Sequence, residues 1–292
     1  MPSMITRAMT SDGSARIIFT DSTAIVARAR EIHNLSKTTT AVLGRSLTAA
    51  SLMGSLLKDK GNTLTFQIKG DGPAGGIVCV SDYKGNVRGY VENPEVELPA
   101  NSLGKLDVGG AIGKNGRLCI IKDMGMAEPY VGMSPLVSGE IGDDVSSYFA
   151  TSEQTPTVCA LGVRVNPDLS VKSAGGFLLQ VLPGADDAVL DKIEENIKNI
   201  KSVSQMIAEG MTAEEIIAEV LTGIEYDLFD EFDCDYVCPC SREKYLVALA
   251  GLSQKDIDEL EAEGGAIETE CRFCDRRFSF NMEEILAKRN EK

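Results

Sequence analysis

Short runs of alternating apolar and polar positions fill much of residues 1–180, and this alternation is typical of half-buried β-strands. The clearest run is 64–69, which ends at the turn sequence 70–73. Similar runs predict further strands at 77–80, 87–91, 118–122, 157–165 and 177–182. The runs 77–80 and 87–91 are expected to pair with each other, because only a short turn sequence separates them.

Two helical patterns interrupt these strands, at residues 22–32 and 36–58. The second helix carries small residues at several positions, namely Gly44, Ala49, Ser51 and Gly54. A helix with such a surface can lie close to a sheet, which is a packing role. Together these elements predict an α+β fold class, with a mixed sheet-and-helix core domain over residues 1–180.

The hydrophobic pattern becomes helical after residues 183–184. Residues 186–209 read as one long amphipathic helix, and a capping box at 212–215 opens a second helix that runs to Leu221. Such helices must bury their apolar faces, yet they have no sheet of their own. They either dock on the β-rich domain or bridge to the C-terminal region. Residues 181–232 are therefore assigned to a helical linker, either conditionally folded or simply docked.

Residues 233–292 form a third, small domain with helices expected to begin at Ser241, Ser253 and Asn281. A region of this size can bury little apolar core of its own. Another source of stability is therefore needed, and the cysteines of this region supply a candidate.

Two close thiol pairs dominate the C-terminal domain: Cys238 with Cys240, and Cys271 with Cys274. A CxC…CxxC arrangement with a foldable insert provides the four ligands of a tetrahedral zinc site. An iron–sulfur cluster is the chemical alternative, but two isolated pairs with one insert fit zinc better. We therefore expect one zinc ion bound by these four cysteines in the reduced protein.

Metal binding is expected to decide whether the small domain folds. Structural zinc contributes roughly 10–16 kcal/mol in small finger peptides, whereas whole domains are stable by only about 5–15 kcal/mol. Sulfurs around tetrahedral zinc lie roughly 3.8 Å apart, but a disulfide requires about 2.05 Å. Oxidation of one pair would therefore remove the metal and unfold the domain. Basic residues near the sulfurs would favour the reactive thiolates, unless they are only solvated surface cations: Arg242, Lys244, Arg272, Arg276 and Arg277.

The chain has 8 cysteines, so four of them lie outside this set. Cys79, Cys119 and Cys159 stand in apolar runs and are expected to be buried, reduced strand residues. Cys234 lies close to the first pair and is a spare thiol, which either exchanges into a disulfide or has no role. The N-terminus lacks the pattern of a secretory signal, so a reducing, cytoplasmic location is expected.

The formal net charge of −15 disfavours sequence-independent binding to nucleic acid and to anionic membranes. No apolar stretch is long enough for a transmembrane helix. The sole histidine, His33, has no nucleophile motif beside it, and we expect it at a surface or a helix end. The glycine-rich sequence 70–76 lacks a phosphate-loop lysine, and 142–144 is interpreted as a turn or cap. These features do not indicate an enzyme.

Several motifs along the whole chain resemble those of a known family. They are 61–65, 70–73, 85–91, 139–144, 152–154 and 174–177, followed by the two cysteine motifs. In this order they are similar to the 33 kDa chaperonins, the redox-regulated heat-shock holdases of bacteria. The resemblance implies a core domain, a docked helical linker and a C-terminal zinc domain.

The resemblance also implies a function. Reduced, zinc-bound protein would be inactive, and oxidation would form the disulfides Cys238–Cys240 and Cys271–Cys274, with the CxxC pair reacting first. Linker and zinc domain would then lose structure and hold unfolding client proteins without ATP, with the active form tending to be a homodimer. Cys234 departs from the simple four-thiol picture. Two other functions remain open from the residues alone, a constitutive zinc-ribbon adaptor and a thiol oxidoreductase.

Overall fold

The computed structural model describes residues 3–264 and 266–291. It divides into two compact units, the first ending at Val237 and the second beginning at Cys238. Strands and helices alternate irregularly in both, so the predicted α+β fold class is confirmed. In the described parts of the chain, no helix is both long and apolar enough to cross a membrane.

Two antiparallel sheets form the framework of the first unit. The strands are β1 (Ser3–Thr10), β2 (Ala15–Asp21), β3 (Thr63–Lys69), β4 (Gly76–Asp82), β5 (Val87–Val91), β6 (Arg117–Asp123), β7 (Tyr130–Pro135), β8 (Thr157–Val165), β9 (Val171–Val181) and β10 (Tyr226–Cys234). Sheet I has the order β10-β1-β2-β9-β8, and sheet II has the order β5-β4-β3-β6-β7. The strands predicted from the alternating runs are all present, and β4 pairs with β5 as expected.

The helices of the first unit are α1 (Thr23–His33), α2 (Lys37–Gly54), α3 (Val108–Ile112), α4 (Ile141–Thr151), α5 (Asp187–Asn199), α6 (Val203–Ala208) and α7 (Ala213–Val220). Helix α2 contacts strands of both sheets and is buried along nearly its whole length. Its small residues permit this approach, because a Cβ added at Gly44 would lie 3.0 Å from Cγ2 of Val163 in β8, and one added at Gly54 would lie 2.6 Å from Cβ of Ser81 in β4. The packing role inferred for these residues is therefore confirmed.

Several elements of the first unit have no clear signal in the sequence, namely β1, β2, β7, β10, α3 and α4. Strand β10 is acidic and largely exposed, and its pairing with β1 along Ser3–Thr10 defines it as a strand. No local pattern reveals such a distant partner. The interpretation of 142–144 as a turn or cap is wrong, because Asp143 and Asp144 lie inside the first turn of α4, whose N-cap is Glu140.

Helices α5–α7 dock on sheet I, which decides between the two possibilities that the sequence left open. Helix α6 contacts β8 and β9, and α7 contacts β1 and β2. The buried apolar residues of the three helices face Ile17, Phe19 and Phe177 of the sheet, and they are Ile193, Val203, Met206, Ile216, Ile217 and Val220. We call this contact the linker interface. It gives these amphipathic helices the apolar partner that they require.

The single long helix predicted at 186–209 is wrong. The chain is extended at Ile200 (ψ 151°) and again at Ser202 (ψ 142°), which separates α5 from α6. Ile200 packs against the linker interface in this extended conformation, so tertiary packing overrides the helical pattern. The capping box is confirmed, since Thr212 accepts the N–H of Glu215 and the Glu215 side chain accepts the N–H of Thr212.

The second unit contains α8 (Arg242–Ala250), α9 (Gln254–Glu263), the hairpin strands β11 (Ile267–Glu270) and β12 (Arg277–Phe280), and α10 (Met282–Asn290). Ser241, Ser253 and Asn281 cap the three helices as predicted. Among the described residues its hydrophobic cluster contains four buried side chains, Leu246, Ile257, Phe280 and Ile285, and Ala250 is buried as well. So small a core leaves most of the folding free energy to be supplied by something else.

Asp144 in the first unit is a fully buried carboxyl group at the start of α4. Its Oδ1 accepts the backbone N–H groups of Val137 (2.7 Å) and Ser138 (3.3 Å), whereas its Oδ2 is buried without a hydrogen-bond partner in the described structure. Burial raises the pKa of this carboxyl, and the backbone donors only partly offset the effect.

We expect Asp144 to make the stability of the protein depend on pH. Because its folded-state pKa is raised, the folded protein binds more protons than the unfolded chain, so stability falls as pH rises from about 4 through the folded pKa. Chemical unfolding of the first unit across this range should show the fall in unfolding free energy, and Asp144→Asn should reduce that fall by about 1.4 kcal/mol per unit of pKa shift. The exposed neighbour Asp143→Asn is the control, and an equal effect of both variants would contradict the assignment.

Candidate metal centre

The CxC motif immediately precedes α8. The Ser241 hydroxyl accepts the N–H of Lys244 and so starts the helix directly after Cys240. The Lys244 ammonium reaches back and donates to the carbonyl of Pro239, 2.9 Å away. The helix cap at Ser241 and the Lys244 hydrogen bond together fix the backbone of the CxC motif, which positions its two thiols.

The CxxC motif forms the tip of the β11–β12 hairpin. The carbonyl of Cys271 accepts the N–H groups of Cys274 (3.1 Å) and Asp275 (2.8 Å), and the Cys271 N–H donates to Arg276 (2.9 Å). Asp275 has a φ of 54°, in the left-handed region that Asp tolerates better than most residues. This tight turn directs the two sulfurs of the motif to one side.

The four cysteine sulfurs of the two motifs all lie within 4.8 Å of one another. Cys238 Sγ is 3.7 Å from Cys271 Sγ, and Cys240 Sγ is 3.3 Å from Cys274 Sγ. Sulfurs around a tetrahedral zinc ion are separated by roughly 3.8 Å. The donor set and its spacing therefore fit a metal ion such as Zn²⁺. The structure brings together the four cysteines that the sequence singled out.

The thiols of Cys271, Cys238 and Cys240 differ in pKa. Burial tends to raise the pKa of Cys271, but the Phe273 N–H, the Tyr245 hydroxyl and neighbouring thiols donate to its sulfur and lower that pKa to about 7. Burial raises the pKa of both Cys238 and Cys240. The Cys271 thiol thus ionises more readily than those of Cys238 and Cys240, which suits the first step of metal capture. Tyr245 was not identified from the sequence, because its contact depends on the fold of α8.

The basic residues that flank the cysteines have different surroundings. The Arg276 guanidinium donates to the Cys238 carbonyl at 3.3 Å, and attraction from Cys240 and Cys274 raises its pKa. Arg242 instead pairs with Glu284 at 2.7 Å, and Arg277 pairs with Glu270 at 3.5 Å. Of these three cations, Arg276 is the one placed to stabilise thiolates.

Cys234 belongs to the first unit and lies outside this cluster. It is the last residue of β10, opposite Ser3 of β1, and only 1% of its surface is exposed. Its sulfur lies 3.8 Å from the Thr20 hydroxyl, and burial raises its pKa to about 11. A protonated, buried thiol is unreactive, so the structure favours the interpretation in which Cys234 takes no part in exchange.

The remaining candidates from the sequence take structural positions. Cys79 and Cys159 are buried in strands as expected, whereas Cys119 in β6 is half-buried. His33 is the last residue of α1, so the helix-end position is confirmed, and its Nε2 lies 2.9 Å from the carbonyl of Gly89. Asp71, from the glycine-rich turn, accepts the side-chain amide of Asn115.

Comparison with known proteins gives one consistent result. A family model described as "Hsp33 protein" matches residues 3–281. The 33 kDa chaperonin of Clostridium botulinum (strain 657 / Type Ba4) is 45% identical over 285 residues, which cover 98% of this chain and 96% of that protein. The 33 kDa chaperonin of Clostridium tetani is 44% identical, covering 98% of this chain and 97% of that protein.

A solved structure is also similar over the whole chain. It is the crystal structure of the 33 kDa chaperonin (heat shock protein 33 homologue) from Thermotoga maritima, with a TM-score of 0.90 and 36% sequence identity. The match covers 100% of this chain and 99% of that one.

We expect the reduced chain to bind one zinc ion, and single cysteine variants to separate ligands from bystanders. Cys240→Ser should lower zinc affinity by more than the about 10- to 100-fold loss that second-shell changes cause. The matched control is Cys234→Ser, which removes a nearby thiol outside the cluster and should leave affinity unchanged. Metal analysis and competition with a chelator measure both. Equal losses in the two variants would contradict the ligand assignment.

Proposed function

The chain belongs to the Hsp33 family of chaperones, and on this premise we propose that it is an ATP-independent holdase controlled by the redox state of its C-terminal cysteines. Reduced and zinc-bound, it is inactive. After oxidation it binds unfolding proteins and so limits their aggregation under oxidative and heat stress. The observation that carries this proposal is the cluster of four thiols in a unit with a very small apolar core.

The stability of the second unit supports control by oxidation. Zinc, when bound, supplies metal–sulfur bonds, and in small finger peptides these are worth roughly 10–16 kcal/mol. The hydrophobic cluster of the second unit has, among described residues, four buried side chains. A unit of this kind is folded when its thiolates hold the metal and unfolds when they cannot.

Oxidation removes the ligands in a balanced reaction. Two thiolates lose two electrons and form one disulfide. Hydrogen peroxide accepts these two electrons together with two protons and is reduced to two water molecules. With hypochlorous acid, the products are chloride and water. Sulfurs joined at about 2.05 Å no longer act as thiolate ligands. We propose the disulfides Cys238–Cys240 and Cys271–Cys274 on the family resemblance, since a compact set of four sulfurs does not by itself select the pairing.

The linker interface is the proposed source of client-binding surface. Ile193, Ile216 and Val220 are at most 3% exposed where α5–α7 dock on sheet I. Release of these helices would expose apolar residues on both the helices and the sheet. Loss of the metal would therefore shift the population toward an open, client-binding state.

The wider assignment follows the same premise. We propose that residues 1–180 act as the core domain, 181–232 as the linker and 233–292 as the redox switch. The oxidised form would be a homodimer that works in the cytoplasm on unfolded or misfolded clients, without catalytic turnover. The net charge of −15 argues against nucleic acid as a partner.

We expect peroxide at elevated temperature to convert an inactive protein into an active holdase. Suppression of the aggregation of a chemically unfolded client, measured by light scattering, should appear only after oxidation and should coincide with zinc release. Cys271→Ser should lose this dependence on oxidant, while Cys234→Ser should retain it because its thiol lies outside the cluster. Equal suppression before and after oxidation would rule out the switch.

We expect a charge placed in the linker interface to activate the reduced protein. Ile216 is fully buried, so Ile216→Lys should destabilise docking of α7 by about 3 kcal/mol or more. Client binding should then occur with zinc still present. The control is Ala218→Lys, which adds the same charge to an exposed position of the same helix. If Ile216→Lys releases α7 without client binding, the linker interface is not the holdase surface.

A further inference from the structure

A cavity of about 640 Å³ lies in the first unit, on the face of sheet I opposite α5–α7. It is bounded by β1 and β2, by the residues that follow α2, by the turn after β4 and by β10. Its volume falls within the range of small-molecule sites. The lining of the cavity includes none of the four clustered cysteines, and its basic side chains are not part of the linker interface.

The cavity walls carry positive charge in a protein whose overall charge is negative. Its basic lining residues are Arg7, Arg16, Lys58 and Lys84. Within the described structure, one carboxylate pairs with this set, Asp230, whose Oδ2 lies 3.5 Å from Arg7. A local excess of cations in a chain of net charge −15 is unexpected for ordinary surface, and it favours an anionic ligand.

Arg16 is held in place without a carboxylate partner in the described structure, and Arg7 has one partly exposed partner, Asp230, at 3.5 Å. Arg16 donates through Nε (3.0 Å) and Nη2 (2.7 Å) to the neutral amide oxygen of Gln180. The Arg7 guanidinium lies 4.8 Å from the ring centroid of Phe232 and donates to the carbonyl of Ser55, while its buried Nε has no hydrogen-bond partner in the described structure. Burial lowers the pKa of Arg16, and repulsion from Arg7 lowers it further. An anion between these groups would relieve that repulsion.

Apolar groups complete the lining of the cavity. Leu56 and Leu57 follow α2 and are half-buried, and Phe229 of β10 is 60% exposed. Phe229 stands at the irregularity where β10 shifts register against β1 between Arg7 and Ala8. Such a bulge re-aims a side chain out of the regular alternation of the strand. The cavity therefore offers an apolar surface beside its cations.

We propose that this cavity binds a small organic anion with an apolar body, such as an acyl carboxylate or a nucleoside phosphate. The acidic group is held by the basic side chains, and the apolar body lies against Leu56, Leu57 and Phe229. Charge selects the ligand, and apolar contact adds affinity.

Two fluorescent probes that share an aromatic body test this proposal on the full, reduced, zinc-loaded chain. They are 8-anilinonaphthalene-1-sulfonate and its uncharged counterpart N-phenyl-1-naphthylamine. The anion should bind more tightly, and its affinity should fall as salt is added. Lys58→Gln with Lys84→Gln should weaken the anion about tenfold and leave the neutral probe unchanged. Phe229→Ala should weaken both probes.

The control removes two lysines that do not line the cavity, through Lys60→Gln with Lys172→Gln, and should change the affinity of the anion less than twofold. Displacement of the probe by decanoate identifies acyl carboxylates as ligands, and displacement by adenosine monophosphate identifies nucleoside phosphates. The proposal is overturned if neither displaces it, if the neutral probe binds as tightly as the anion, or if both lysine pairs have the same effect.

Discussion

The close approach of four cysteine sulfurs is the constraint on which the C-terminal unit depends. Three helix caps and one hairpin turn stabilise their own segments, but each contributes only about 1 kcal/mol. The small hydrophobic cluster of this unit, with four buried side chains among the described residues, cannot offset the entropy of ordering the whole unit. In the proposed function, metal–thiolate bonds supply that free energy, so the chemistry of the sulfurs and the folding of the unit would be one equilibrium. A reaction that changes the sulfurs would then change the fold.

The linker interface differs from this, since it is stabilised mainly by apolar contact, with a buried hydrogen bond from the Ser173 hydroxyl of β9 to the Ser204 carbonyl of α6. Helices α5–α7 are short, and helices of this length are marginal in water without tertiary packing. Their docking on sheet I is therefore conditional on the sheet face being available. Apolar surface that is buried in one state and free in another is what a chaperone for unfolded chains needs. In the proposed function, the face of the sheet that α5–α7 cover is the surface that binds a client.

Cys234 illustrates why proximity in sequence is a poor guide to a shared site. It precedes Cys238 by one short segment, yet it ends a strand of the first unit and its thiol is buried beside Thr20. The cation-lined cavity makes a related point. Its basic residues come from β1, β2, the segment after α2 and the turn after β4, and no local motif joins them. Both features arise from the pairing of distant strands.

The sequence by itself determined the α+β class, most strands of sheet II, the capped helices and the four clustered cysteines, because each rests on a local period, a capping residue or a short spacing. Tertiary structure alone decided the strand identity of β10, the break of the long helix at Ile200, the docking of α5–α7 and the separation of Cys234 from the cluster. These features depend on backbone pairing and apolar burial between residues far apart in the chain. A local pattern cannot identify such partners, because the pairing and burial that stabilise them arise only when distant segments come together in the sheets.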